Sequence, residues 1–100
     1  MPFEIEFTQP AADQVRDYRA FDQQIILDGI EDQLLHEPTV ETRNRKHLAE
    51  NDLFDWELRI GKFRVFYDLS LESESKVVKI KAVGHKEHGK LFIGDSEVSL

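Results

Sequence analysis

The chain has 100 residues, of which 40% are apolar, with seven Phe and one Trp. That is enough for one domain with one core, and it argues against bulk disorder. Cysteine is absent, which excludes disulfides, thiolate metal sites and cysteine nucleophiles and fits a reducing cytosol, so a cytoplasmic protein is expected. The net charge of −7 argues at first against a nucleic-acid partner, but the charge is uneven. Residues 1–37 hold nine acids against two bases, whereas residues 38–90 hold nine acids against eleven bases. Such asymmetry fits a basic face opposite an acidic one; a solvated acidic helix pair explains the first third equally well.

In chain order, the opening "MPFEIEFTQP" has neither the basic nor the apolar region of a signal peptide, and no window is apolar enough for a membrane span. "FEIEF" alternates, with Phe3, Ile5 and Phe7 on one side and Glu4 and Glu6 on the other, as in a half-buried strand. Thr8 or Gln9 then caps a helix with Pro10 in its first turn, running to about Arg19 and burying Ala12, Val15 and either Tyr18 or the stem of Arg19. Asp22 caps a second helix to about His36, whose stripe is Ile26, Ile30 and Leu34 with Leu27 beside it. Gly29 weakens this helix by roughly 1 kcal/mol relative to Ala, which suggests that another element approaches there. Pro38 stops it, and the short join between the helices predicts an αα-hairpin.

Residues 38–52 form one long polar connection, with Leu48 as its anchor. Three strands follow. Phe54, Trp56, Leu58 and Ile60 share one face of the first, opposite Asp55, Glu57 and Arg59. After a Gly61–Lys62 turn, Phe63, Val65, Tyr67 and Leu69 share a face, opposite Arg64, Phe66 and Asp68. In the last, Val78, Ile80 and Ala82 oppose Val77, Lys79, Lys81 and Val83. The prediction is therefore an α+β domain over residues 1–100. It has an N-terminal strand, an αα-hairpin and a three-stranded antiparallel meander in two layers. Residues 94–100 read as a flexible polar tail.

The polar face of the meander gathers Arg59, Arg64, Lys79 and Lys81 with Glu57 among them. The polar connection adds Arg43, Arg45, Lys46 and His47, and "VGHKEHGK" adds His85, Lys86, His88 and Lys90. Together these bases could make one phosphate-binding surface, although a wet sheet face with cross-strand ion pairs accounts for the strand charges as well. No nucleophile elbow or phosphate loop is present, and His85 and His88 lack the spacing of a helical metal motif. Neither a metal nor a cofactor is expected.

The order of elements, with "WELRIGKFRVFYDL" and "KVVKIKAVGHKEHGKLF", resembles the RelE/ParE superfamily of type II toxin–antitoxin toxins. The family's "R-x-G-x-[YF]-R-[VL]-x-Y" hairpin corresponds to Arg59 through Tyr67, and its "V-G-[HK]-[RK]" strand ending to Val83 through Lys86. The resemblance implies a RelE-like fold, a cognate antitoxin, and an endoribonuclease that cuts mRNA on the ribosome and so inhibits translation. A second branch of the superfamily is not catalytic and acts by binding DNA gyrase or its antitoxin.

Cleavage by the 2′-hydroxyl needs a base, cations for the phosphorane and an acid for the leaving 5′ oxygen. By the resemblance, Arg64, Arg59 and Lys86 match the cations. Glu57 stands where many relatives carry Lys, and serves as a base or pairs with Arg59. Phe92 stands at the family's near-terminal Tyr and cannot transfer a proton, so His85 or His88 would take that role. Arg43, Arg45, Lys46, His47, Lys79 and Lys81 would bind RNA. Expression without an antitoxin is expected to arrest growth; normal growth with soluble protein would contradict a toxin.

Overall fold

The computed structural model describes residues 3–48, 53–70 and 76–99. The end of the long polar connection (49–52) and most of the turn before the last predicted strand (71–75) lie outside them, as do residues 1, 2 and 100. Strand β1 (Glu4–Phe7) leads into α1 (Gln9–Arg16) and α2 (Ala20–Leu34). Six strands follow: β2 (Arg45–His47), β3 (Trp56–Ile60), β4 (Phe63–Ser70), β5 (Val77–Glu87), β6 (Lys90–Ile93) and β7 (Ser96–Val98). The α+β architecture and the strand, helix pair and antiparallel meander are as the sequence predicts.

The sheet is larger than the predicted meander. Strands β2 to β7 pair antiparallel in chain order, and β1 adds to β5 in parallel, Glu4 opposite Val77 and Phe7 opposite Ile80. The long β5 is thus shared along one edge: its first residues pair with β1, and Gly84–Glu87 pair with β6. The segment expected to be a flexible tail carries β7, which pairs Ser96–Val98 with Leu91–Ile93 across a Gly94–Asp95 turn. "KLFI" and "SEV" are only four and three residues long, so their alternation is a weak signal in isolation.

Local chemistry sets both helices. Thr8 caps α1, its Oγ1 accepting from the Ala11 N–H at 3.2 Å, with Pro10 in the first turn. Ala11 rather than Ala12 is fully buried, beside Val15. Helix α2 begins two residues before the expected Asp22 cap; Arg19 is its N-cap, and Asp22 in the first turn accepts from Arg19 Nε at 3.0 Å. Ile26, Ile30 and Leu34 are buried as predicted, while Leu27 stays exposed. Gly29 does permit close approach: a Cβ there would lie 2.5 Å from Ile60 Cδ1.

The main core lies between the helices and the sheet. Ala11, Val15, Ile26, Ile30 and Leu34 meet Trp56, Leu58, Val65, Tyr67, Val78 and Ile80 there. The Tyr67 hydroxyl donates to the Pro38 carbonyl at 2.5 Å, tying the chain beyond α2 to the centre of the sheet. The second sheet face is not simply wet. Phe66, Ala82 and Leu91 form a smaller buried cluster, edged by Leu48, Phe54, Ile93 and Val98. Two expected face assignments change here. Phe54 precedes β3 and stacks on Phe66, ring centroids 4.9 Å apart, instead of joining Trp56 in the main core.

The second change comes from a β-bulge. Phe66 faces Ala82 but Tyr67 faces Ile80, which leaves Lys81 as the extra residue of β5. Beyond it the alternation is inverted. Ala82 joins Phe66 on the outer face, and Val83 enters the main core. Gly84 then sits where β6 crosses close: a Cβ would fall 2.1 Å from the Phe92 carbonyl oxygen, a backbone atom that cannot move aside alone. Gly84→Ala is therefore expected to destabilise the fold by about 1–3 kcal/mol, measured as a lowered urea midpoint.

Candidate functional site

The site forms on the outer sheet face, at the end where β2, β3, β4 and β5 run side by side. Lys46 is opposite Glu57, and Arg59 is opposite Arg64, so cross-strand pairing puts all four on one face. Glu57 is only 7% exposed. A carboxylate that deep needs a partner, and Arg59 Nε supplies one at 2.9 Å. Arg64 Nη1 donates to the carbonyls of Gly61 and Phe63 at 2.7 and 2.9 Å. Its Nε is buried and, among the described residues, without a partner. Burial lowers the Arg64 pKa, with Glu57 acting against that and Arg59 adding to it; the group remains a cation.

Lys86, two residues past Gly84, points to the same face. With Lys46, Glu57 and Arg59 it lines one side of a groove of about 440 Å³. The other side is made by Leu48 and by the last hairpin, through Lys90, Leu91, Glu97, Val98 and neighbouring residues. Lys90 Nζ and Glu97 Oε1 are 3.5 Å apart, both largely exposed. On the outer face the groove thus gathers three cations, Lys46, Arg59 and Lys86, around the Glu57 carboxylate, with Arg64 beside it, in a chain of net charge −7. Lys90 and Glu97 border it from strands whose register turns their side chains to the face of His85 and Phe92. The groove suits an anionic ligand of a nucleotide's size.

The histidines are elsewhere. Because the bulge inverts β5, His85 follows Val83 to the helix face and not Lys86 to the groove. Its Nδ1 is 2.7 Å from the Tyr18 hydroxyl, and its ring stacks on Phe92 at 5.7 Å. Its Nε2 is 3.6 Å from Glu87 Oε2. The Tyr18 phenol is pushed up to about 12, by burial first and then by Asp22 and Asp17. The phenol therefore stays protonated, and which of the two groups donates follows the imidazole tautomer. His88 occupies the β5–β6 turn with φ +52°, followed by Gly89 at +77°, the double positive φ of a type I′ hairpin turn. It is exposed and does not line the groove.

Residues 5–88 match the model of the ParE toxin of type II toxin–antitoxin system, parDE. The chain belongs to this toxin family. No curated protein matches it. The match agrees with the RelE/ParE resemblance and with the fold. A toxin of this class has a cognate antitoxin as partner, and no helix among the described residues is long and apolar enough to cross a membrane.

Within this toxin fold, the remaining expected RNA-binding residues divide. Lys46 lines the groove. Arg45 does not: it is buried, facing the helices opposite Leu58, and its guanidinium donates to Gln33 and Val40 carbonyls at 2.6 and 3.0 Å. It replaces capping water at the end of α2. Arg43 is exposed on the loop before β2. His47 sits edge-on to Trp56 at 5.1 Å, at the sheet margin. Lys81 pairs with Asp68 at 3.3 Å. It lies five residues from Lys86 along β5, roughly 16 Å, and Lys79 lies farther still. The sequence reading missed the wall supplied by Glu97, Val98 and Ser99, since it assigned them to a tail.

The Tyr18 contact has a pH signature. Its folded pKa lies above the unfolded value, so its stabilisation is complete below pH 10 and is lost as pH rises towards 12. Tyr67, also raised by burial, acts in the same direction. The urea midpoint is expected to fall across this window, and less steeply in Tyr18→Phe; an unchanged slope would contradict the assignment.

Proposed function

We propose that this toxin inhibits translation as a ribosome-dependent mRNA endonuclease, with the groove as its active site. The observation that carries this reading is a carboxylate, Glu57, buried beside Arg59 in the floor of a cationic groove. Phosphodiester transfer needs that combination: a fixed base among cations that neutralise the phosphorane.

On this reading Glu57 takes the proton of the 2′-hydroxyl. The 2′ oxygen attacks phosphorus, and the bond from phosphorus to the 5′ oxygen breaks, leaving a 2′,3′-cyclic phosphate. Arg59, Arg64 and Lys86 neutralise the developing dianion. The departing 5′ oxygen takes a proton from the Lys86 ammonium, which water restores. Phosphate binding also gives the partnerless Arg64 Nε an acceptor and draws Nη1 off the Gly61 and Phe63 carbonyls, since an ionised acceptor replaces two neutral ones. His85, committed to Tyr18 on the opposite face, has no part in the chemistry, nor has His88.

A second reading, a non-catalytic toxin that acts by binding gyrase or its antitoxin, is favoured by two observations. Arg64 rests on its own hairpin, and Phe92 lacks a hydroxyl. One experiment separates them: primer extension on translated mRNA after induction, with a supercoiling assay on purified gyrase. The nuclease reading expects discrete cuts, a loss of ~10²–10⁴-fold in Glu57→Gln, and cleavage retained in His85→Gln. Intact mRNA with growth arrest and inhibited supercoiling would establish the second reading instead.

A further inference from the structure

The family match ends at residue 88, and the hairpin β6–β7 begins after it. Yet more than half of the residues lining the groove come from beyond that point. Register fixes what this part presents. Lys86 is opposite Leu91, and Leu91 is opposite Val98. Directly opposed residues share a face, so the three side chains stand in one row across β5, β6 and β7. One end of the row is a cation, on the face of Arg59 and Arg64. The other end is apolar, and Leu48 extends it by packing into the same outer cluster as Leu91 and Val98. Leu91 is buried, and Leu48 and Val98 are half-buried. All three line the groove.

Neighbouring strands are about 4.8 Å apart, so Val98 lies two spacings, roughly 10 Å, from Lys86. That is close to the span of one nucleotide from its phosphate to its base. We propose that Leu48, Leu91 and Val98 form a base-packing platform, which holds the nucleobase beside the scissile phosphate by apolar contact. This rests on the reading of the groove as an RNA-cutting site. The three side chains carry neither donor nor acceptor, so the contact is with the face of a base and not its edge, and every base has such a face. Covering it removes apolar surface of both partners from water. The binding energy gained there holds the phosphate in place among Arg59, Arg64 and Lys86. The charged side chains of the hairpin do not interrupt the platform. Lys90 is opposite Glu87, and Glu97 is opposite Phe92, which turns both to the other face of the sheet.

The test is a cycle between toxin and substrate. Ribosome complexes carry an mRNA with one mapped cut site, and the nucleotide on one side or the other of the scissile phosphate is replaced by an abasic ribonucleotide. Intact toxin, Val98→Ser and the isosteric Val98→Thr are compared by single-turnover cleavage at subsaturating toxin. In the intact toxin, removal of the base on one side is expected to slow cleavage roughly tenfold. In both variants that penalty should shrink severalfold, because the platform is already weakened. Damage to the fold alone would slow cleavage of the intact and abasic mRNAs alike and leave the penalty as it was. No abasic penalty on either side, or a penalty undiminished in both variants, overturns the platform and leaves the nuclease reading standing. An absence of cuts by the intact toxin on every mRNA overturns both.

Discussion

Lys81 has no residue opposite it in the β4 ladder, and the consequences of that one extra residue run through the toxin. With Phe66 opposite Ala82 and Tyr67 opposite Ile80, β5 changes faces midway. Strict alternation would carry Val83 and His85 outward and Lys86 inward. The bulge instead buries Val83 against the helices, holds His85 under Tyr18 and delivers Lys86 to the face of Glu57, Arg59 and Arg64. The cost of an unpaired ladder position is offset by a core contact on one side and a cation on the other.

Charge is segregated by the same layering. The helices carry five acids against one base, Arg16, and the outer end of the sheet collects bases. The two are separated by the thickness of the core, so the acidic helices reduce the groove's attraction for anions only weakly, and less still at physiological salt. Arg45 shows that not every base serves that groove. Its guanidinium sits beneath the helix end, held by two backbone carbonyls. Two adjacent bases of β2, Arg45 and Lys46, thus have opposite roles because successive side chains of a strand point to opposite faces.

Much of the fold was legible locally. The alternation of "FEIEF", the four-residue recurrence of Ile26, Ile30 and Leu34, and the strands on either side of Gly61–Lys62 each depend on near neighbours. So did the placing of Glu57, Arg59 and Arg64 on one face, because no irregularity interrupts β3 or the start of β4. The errors share a cause. Phe54 lies just outside its strand, Val83 and His85 lie beyond a bulge, and β7 exists only because β6 is there to pair with it. A period of two cannot be carried past a strand end or an inserted residue.

By itself, the sequence determined the α+β class, the membership in a toxin family and the basic character of one sheet face, since these follow from composition, periodicity and a contiguous motif. The tertiary structure decided which bases face one another. His85 and Lys86 are neighbours in sequence and lie on opposite sides of the sheet, whereas Lys46, Glu57, Lys86 and Val98, from four separate strands, line one groove. Register and the single bulge in β5 set that arrangement, and both are fixed by packing across strands rather than along the chain.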